Sequence, residues 1–220
     1  METEDLGYCF LAAVPMRSEP SDRSEMVSQL LLGDTFHLLE IGEKWTRVRN
    51  CYDDYEGWID NKQYILASQC GDAEKQALAR MLSDRERRAA EAGSSPSRYA
   101  EQNYLGTPYL WGGKNPMGID CSGLTQVCFQ ACGKRLLRDA SQQVTQGVVV
   151  PSIDDVRPDD LCFFGPSVDK ITHVGMAIGG GRIIHSSGFV RVDRLDATGI
   201  YDEAKEIYTH YLQAIRRIVK

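Results

Sequence analysis

Residues 106–124 read Gly106-Thr107-Pro108-Tyr109-Leu110-Trp111-Gly112-Gly113-Lys114-Asn115-Pro116-Met117-Gly118-Ile119-Asp120-Cys121-Ser122-Gly123-Leu124. A Gly/Pro-rich loop runs straight into an amphipathic pattern. Apolar residues at 121, 124, 127, 128 and 131 keep the i, i+3, i+4 rhythm of a helix. Asp120 stands where an N-cap belongs, so Cys121 falls in the first turn. There the free N–H groups and the macrodipole favour a thiolate, and the same amides can hold an oxyanion on an attacked carbonyl.

A nucleophile needs a base. Thr172 to Ile178 reads as a strand, with Thr172, Val174, Met176 and Ile178 on one face and His173, Gly175 and Ala177 on the other. The histidine-bearing face carries small residues, so a helix is expected to approach it closely. His185 ends the next apolar run, where it can orient the first imidazole. Cysteine and histidine placed this way suit acyl transfer. On spacing alone, a buried cysteine with two structural histidines accounts for the pattern equally well. His37 and His210 have no evident partners and read as structural or exposed.

The rest of the chain frames this segment. Of 220 residues, 42% are hydrophobic and 25% charged, ordinary for a soluble globular protein. A net charge of −6 argues against a nucleic-acid footprint. No apolar run approaches the roughly 18–20 residues that span a bilayer. The acidic stretch Met1 to Asp5 lacks the basic region of a secretory leader. The cytoplasm is therefore the expected location, with the periplasm or cell envelope as the alternative if a leader has been removed. Seven scattered cysteines without CxxC spacing argue against a disulfide framework and a structural zinc site. Cys128 and Cys132, four apart, read as small buried hydrophobes.

Residues 8–68 break into short apolar runs, Cys9-Phe10-Leu11 and Gly57-Trp58-Ile59 among them, separated by close turn signals, which predicts a small barrel. From Asp72 to Ala92 there is no Gly or Pro, and helix is expected. Gly93-Ser94-Ser95-Pro96-Ser97 stops it, and a second helix is expected over 97–105. The predicted division is a β-barrel over 1–70, a helical linker over 71–96 and an α+β catalytic part over 97–220.

The two halves of the opening segment, Gly106 to Gly113 and Gly118 to Leu124, closely resemble the signature of the NlpC-type cell-wall peptidases, papain-like cysteine hydrolases of bacterial peptidoglycan. Asp159-Asp160-Leu161-Cys162-Phe163-Phe164 is similar to the family's strand before the histidine, and Thr172-His173-Val174-Gly175-Met176 to the histidine strand. His185-Ser186-Ser187-Gly188 matches the third catalytic group. The resemblance covers roughly residues 97–218. It implies a papain-like fold in which the helix bearing the cysteine packs on an antiparallel sheet. Cys121 is then the nucleophile, His173 the general base and His185 the orienting residue. It also implies that the Tyr109 hydroxyl lies beside the nucleophile, that Trp111 lines the groove, and that Asp120 touches substrate besides capping the helix. The glycines at 106, 112 and 113 fit a substrate-facing loop.

Ser24-Glu25-Met26-Val27-Ser28-Gln29-Leu30-Leu31 and Tyr55-Glu56-Gly57-Trp58-Ile59 resemble the bacterial SH3 (SH3b) domain of the subgroup that cleaves short murein stem peptides as γ-D-glutamyl-L-diamino-acid peptidases. In that subgroup the cleft admits peptides whose L-Ala amine is free. An acidic side chain is required to meet that ammonium, and Asp139, Glu25 and, less directly, Tyr55 match the positions. Ala140 departs from the serine that many relatives carry near the D-Glu carboxylate, so Ser122 or Ser141 is expected to supply that hydrogen bond. The implied reaction cuts between γ-D-Glu and diaminopimelate or lysine in a murein stem peptide. It needs no metal or organic cofactor, and a monomer is expected. Two rivals are an amidase or acyltransferase of the same fold and a non-catalytic wall-binding protein.

Overall fold

A computed structural model of the chain describes residues 6–219; the acidic stretch 1–5 lies outside them. The chain forms two compact units, residues 1–85 with 111–115 and residues 86–110 with 116–220.

The first unit is a seven-stranded antiparallel sheet of β1 (Gly7–Tyr8), β2 (Ala13–Arg17), β3 (Met26–Leu31), β4 (Thr35–Ile41), β5 (Trp45–Asn50), β6 (Glu56–Asp60) and β7 (Ile65–Leu66), in the order β3-β2-β6-β5-β4-β1-β7. Burial alternates along β2, β5 and β6, as period-two side chains require. The inward set of Cys9, Val14, Met16, Leu30, Phe36, Val48 and Ile59 makes the core. The run Cys9-Phe10-Leu11, expected as a strand, is instead the bend between β1 and β2. There the Cys9 N–H donates to the Asp34 carbonyl and the Gly33 N–H donates to that of Cys9.

The strap Trp111–Asn115, which includes β8 (Lys114–Asn115), belongs to this unit. The Lys114 N–H and the Asn115 Nδ2 amide both donate to Gln29 Oε1, at 2.8 and 2.9 Å. Lys114 itself is buried beside the Asp34 carboxylate, whose pKa is raised by burial and opposed by that ammonium. Gly112 has φ +75°, and a Cβ there would run into the Met26 carbonyl. The glycine expected to face substrate therefore serves a close backbone approach within this unit.

Helix α1 (Asp72–Glu91) crosses the border between the units. The second unit continues with α2 (Pro96–Tyr104), β9 (Gly118–Ile119), α3 (Cys121–Ala131) and α4 (Ala140–Gln143). Its sheet contains β10 (Val148–Val149), β11 (Leu161–Phe164), β12 (His173–Gly179), β13 (Arg182–Ser187), β14 (Phe189–Leu195), β15 (Gly199–Asp202) and β16 (Ile207–Arg217). The order is β10-β16-β11-β12-β13-β14-β15, and a further pairing of β15 with β16 closes six of these strands into a barrel. Val150, Cys162, Phe164, Ala177, Ile183, Leu195, Ile200 and Ile215 fill its interior.

That interior corrects one sequence expectation. Ala177 faces the barrel core, and the small residues of its face make room for a neighbouring side chain rather than for a helix. Gly175 pairs with His185, and a Cβ on Gly175 would come within 2.9 Å of the His185 Cβ and 2.8 Å of Ile183 Cδ1. Helix α3 packs against α2, β12 and β13 without contributing to the barrel-core cluster. No helix among the described residues is long and apolar enough to cross a membrane.

Candidate active site

Asp120 caps α3 as its position suggests: its Oδ1 accepts from the Gly123 N–H at 2.6 Å. The cap is itself gripped from below. Arg138, fully buried, donates from Nη2 to Asp120 Oδ2 at 2.6 Å and from Nη1 to Oδ1 at 3.1 Å and Ser122 Oγ at 2.9 Å. Asp120 and Ser122, both expected to touch substrate, are thus engaged within the protein. Gln143 ties the same turn to the following segment, donating to the carbonyls of Ser122 and Leu137 and accepting from Thr125 Oγ1.

Cys121 opens the helix and is buried. Burial, with the Asp120 charge second, pushes its thiol up to about 12; backbone N–H groups of Val174 and Ser122 and the Arg138 guanidinium act the other way. Burial thus opposes the thiolate that the helix start favours. Tyr109 lies in the same electrostatic neighbourhood: burial and the nearby Cys121 and Asp120 push its phenol up to about 12. Its backbone N–H donates to the Gly188 carbonyl.

His173 begins β12 and His185 lies in β13, and their rings meet: His173 Nε2 is 2.9 Å from His185 Nδ1. His185 Nε2 is in turn 2.9 Å from Asp193 Oδ2. The same carboxylate oxygen receives Arg191 Nη2 at 2.8 Å, and Arg191 reaches Asp202 at 3.1 Å. Burial lowers the pKa of both imidazoles, that of His173 well below its ordinary value. Asp193 is held low by its hydrogen bond to His185 and by Arg191, against its own partial burial.

Two members of this cluster escaped the sequence reading. Asp193 follows His185 on the other arm of a hairpin. A turn centred on Gly188, at φ +73°, pairs His185 with Arg191 and Ile183 with Asp193; locating that turn would have found it. His210, read as having no partner, stacks on His173 with ring centroids 4.1 Å apart and planes at 25°. Closure of the barrel brings it there, through the pairing of Ile200 with His210.

The three imidazoles offer nitrogens within 4.8 Å of one another, the usual makings of a metal site. As arranged, their lone pairs do not converge. His173 and His185 point at each other in a hydrogen bond, and the near-parallel His210 ring keeps its lone pairs in a separate plane.

Asp139 caps α4, with its backbone N–H on Gln142 Oε1 at 3.0 Å, and Ser141 is exposed on that helix. Glu25, Tyr55 and Trp111 belong to the first unit. There the exposed Trp111 indole donates from Nε1 to Glu25 Oε1 at 2.6 Å, while Tyr55 packs against the core of that same unit.

Residues 106–211 match the NlpC/P60 family, and residues 16–63 match the bacterial dipeptidyl-peptidase SH3 domain. The chain is similar to the gamma-D-glutamyl-L-lysine dipeptidyl-peptidase of Bacillus subtilis (strain 168), 46% identical over 85 residues that cover 38% of this chain and 28% of that protein. It is similar also to the probable endopeptidase p60 of Listeria grayi, 34% identical over 112 residues, covering 50% of this chain and 22% of that one. The matches thus span little more than a quarter of these relatives' lengths at most. A crystal structure of an NlpC/P60 family protein from Bacillus cereus ATCC 10987 aligns over 100% of this chain and 65% of its own, with TM-score 0.50 and 20% identity, a likeness of fold. The chain thus carries an NlpC/P60 domain, matched over residues 106–211, preceded by a bacterial SH3 domain, matched over residues 16–63.

Proposed function

We propose that this protein is a cysteine endopeptidase that cuts the bond between γ-D-Glu and the diamino acid of short murein stem peptides. The observation that carries the reading is the hydrogen-bonded series Asp193–His185–His173 in the unit that holds Cys121 at the start of α3.

The series fixes proton positions. A carboxylate only accepts, so His185 Nε2 carries the proton given to Asp193. His185 Nδ1 is then the acceptor, and His173 Nε2–H is the donor to it. That leaves His173 Nδ1 with the lone pair of a general base. Burial raises the thiol and lowers the imidazole, and both shifts favour the neutral pair. The proton passes from Cys121 Sγ to His173 Nδ1 as the sulfur attacks the γ-glutamyl carbonyl. The Gly123 and Leu124 amides are already committed to Asp120 and the Ser122 N–H acts on the Cys121 sulfur, so the Cys121 N–H is the helix-start donor for the oxyanion. His173 then protonates the leaving amine, and water, deprotonated by the same imidazole, hydrolyses the acyl-enzyme.

The choice of the γ-D-Glu bond rests on the resemblance of the motifs and on the similarity to the B. subtilis dipeptidyl-peptidase. The requirement for a free L-Ala amine rests on the resemblance alone, through Glu25, Asp139 and Tyr55. Mass spectrometry of products tests both. L-Ala-γ-D-Glu-diaminopimelate and its N-acetylated form are each incubated with wild type and Cys121→Ala. Release of L-Ala-γ-D-Glu from the free peptide by wild type alone is the expected result. Equal cleavage of both peptides removes the amine requirement, and cleavage of neither removes the proposed activity.

A further inference from the structure

A hydrogen bond at one nitrogen pins an imidazole at a point but leaves the ring free to rock about that bond. His173 is pinned in this way at Nε2 by His185. Its plane is set by a different contact. His210, from β16, lies face to face with it at 4.1 Å and 25°, and the Phe164 ring flanks both at 5.9 and 6.2 Å. Proton transfer needs the His173 lone pair directed at one sulfur, so loss of this second constraint matters as much as loss of the first.

We propose that His210 is a positioning residue for His173: its neutral ring fixes the plane of the base and supports, through its π face, the imidazolium formed when Cys121 gives up its proton. This deepens the proposed function and rests on His173 being the base there.

His210 is suited to that task in two ways. His210 Nδ1 lies 2.9 Å from Thr209 Oγ1, a hydrogen bond that holds the ring in its orientation. The charged and titratable groups that face it are His173 from β12, His185 from β13, and Arg191 and Asp193 from β14. Burial, His185 and Arg191 outweigh Asp193 and lower its pKa to about 4, so at neutral pH the ring beside the nascent imidazolium is uncharged. A neutral aromatic face attracts a stacked cation, whereas a protonated His210 would repel it.

The test is the rate of Cys121 alkylation by iodoacetamide against pH, read on the Cys121 peptide by mass spectrometry so that the other six cysteines do not contribute. Wild type, His173→Ala, His210→Ala and His210→Phe are compared as full-length proteins, each checked for native circular dichroism. The expected result is a tenfold or greater fall at pH 7 in His173→Ala and His210→Ala, with His210→Phe within threefold of wild type. The wild-type rate should also fall as pH drops through the range in which His210 protonates, and His210→Phe should lack that step. A fall in His173→Ala with none in His210→Ala overturns the positioning role and leaves the base intact. A fall in His210→Phe equal to that in His210→Ala overturns the stacking explanation. An unchanged rate in His173→Ala removes the base and this proposal with it.

Discussion

Arg138 Nη2 lies 2.6 Å from Asp120 Oδ2, and both side chains are buried at the first turn of the helix that carries Cys121. The pair is bidentate, and Arg138 also reaches Ser122 Oγ. Removing one partner strands a desolvated charge, which typically costs about 3–5 kcal/mol. Arg138→Ala is expected to lose that much stability in urea denaturation. Arg138→Lys should recover only part of it, because an ammonium cannot reproduce the planar fork. Equal stability of Arg138→Ala and wild type would mean that the cap stands without the pair.

Gly175→Ala tests the packing of the histidine face. The new Cβ meets the His185 Cβ at 2.9 Å and Ile183 Cδ1 at 2.8 Å, and the first of these is fixed directly to the backbone. Overpacking of this kind costs about 1–3 kcal/mol. Activity should fall further than that loss explains at temperatures where the variant remains folded, because the displaced group is His185. Full activity per folded molecule would show that the rate does not depend on where His185 stands.

Asp193→Leu removes the acceptor that sets the tautomer of His185 and, through it, of His173. The expected loss in kcat approaches the roughly 10²–10⁴-fold that a general base supplies. Asp193→Asn, which can still accept through its amide oxygen, should lose less. Nitrogen-15 shifts of the His185 ring provide the check: Nε2 protonated in wild type, mixed tautomers in the leucine variant. Leucine and asparagine variants of equal activity would remove the tautomer role.

The buried imidazoles fix the sign of the pH dependence of stability. His173, His185 and His210 all have lowered pKa values in the folded chain, with burial the leading cause. Below the ordinary imidazole value of about 6.5 the unfolded chain binds protons that the folded one refuses, so stability falls as pH falls. Asp34, raised by burial, acts in the opposite direction, but it is one group against three. On the alkaline side, burial pushes Cys9 and Cys121 up to about 12 and Cys132 to about 11. The unfolded thiols ionise near 8.5, so stability is lost as pH rises beyond that value. Thermal melts should show a plateau between these limits. A melting temperature that rises on going from pH 7 to pH 5 would contradict neutral, buried imidazoles.

What was legible in the sequence was local. The α3 helix and its Asp120 cap depend on residues three and four apart, and they stand where the periodicity put them. The helices over 72–91 and 96–104 follow in the same way from composition and from the Gly/Ser/Pro joint between them. The histidine face was misread because alternation tells which residues share a face but not what lies opposite. Gly175 is small because His185 crosses it, a fact of strand register. Asp193 depends on where the hairpin turns, and His210 on closure of β15 against β16, 37 residues and four strands beyond the base. Gly112 likewise answers to the Met26 carbonyl, more than 80 residues away in the chain.

The additional pairing of β15 with β16 has a kinetic meaning. An open sheet frays from its margins inward, and each outer strand can peel away while its neighbours stay ordered. A ring has no such margin to start from: freeing any one of its strands breaks two ladders at once. The strands that carry His173, His185, Asp193 and His210 should therefore exchange their amide hydrogens together and late. The same ring leaves β12 and β13 no unpaired backbone rows to template sheet growth between molecules, so the chemistry-bearing strands are also shielded from the self-association that exposed strand margins invite.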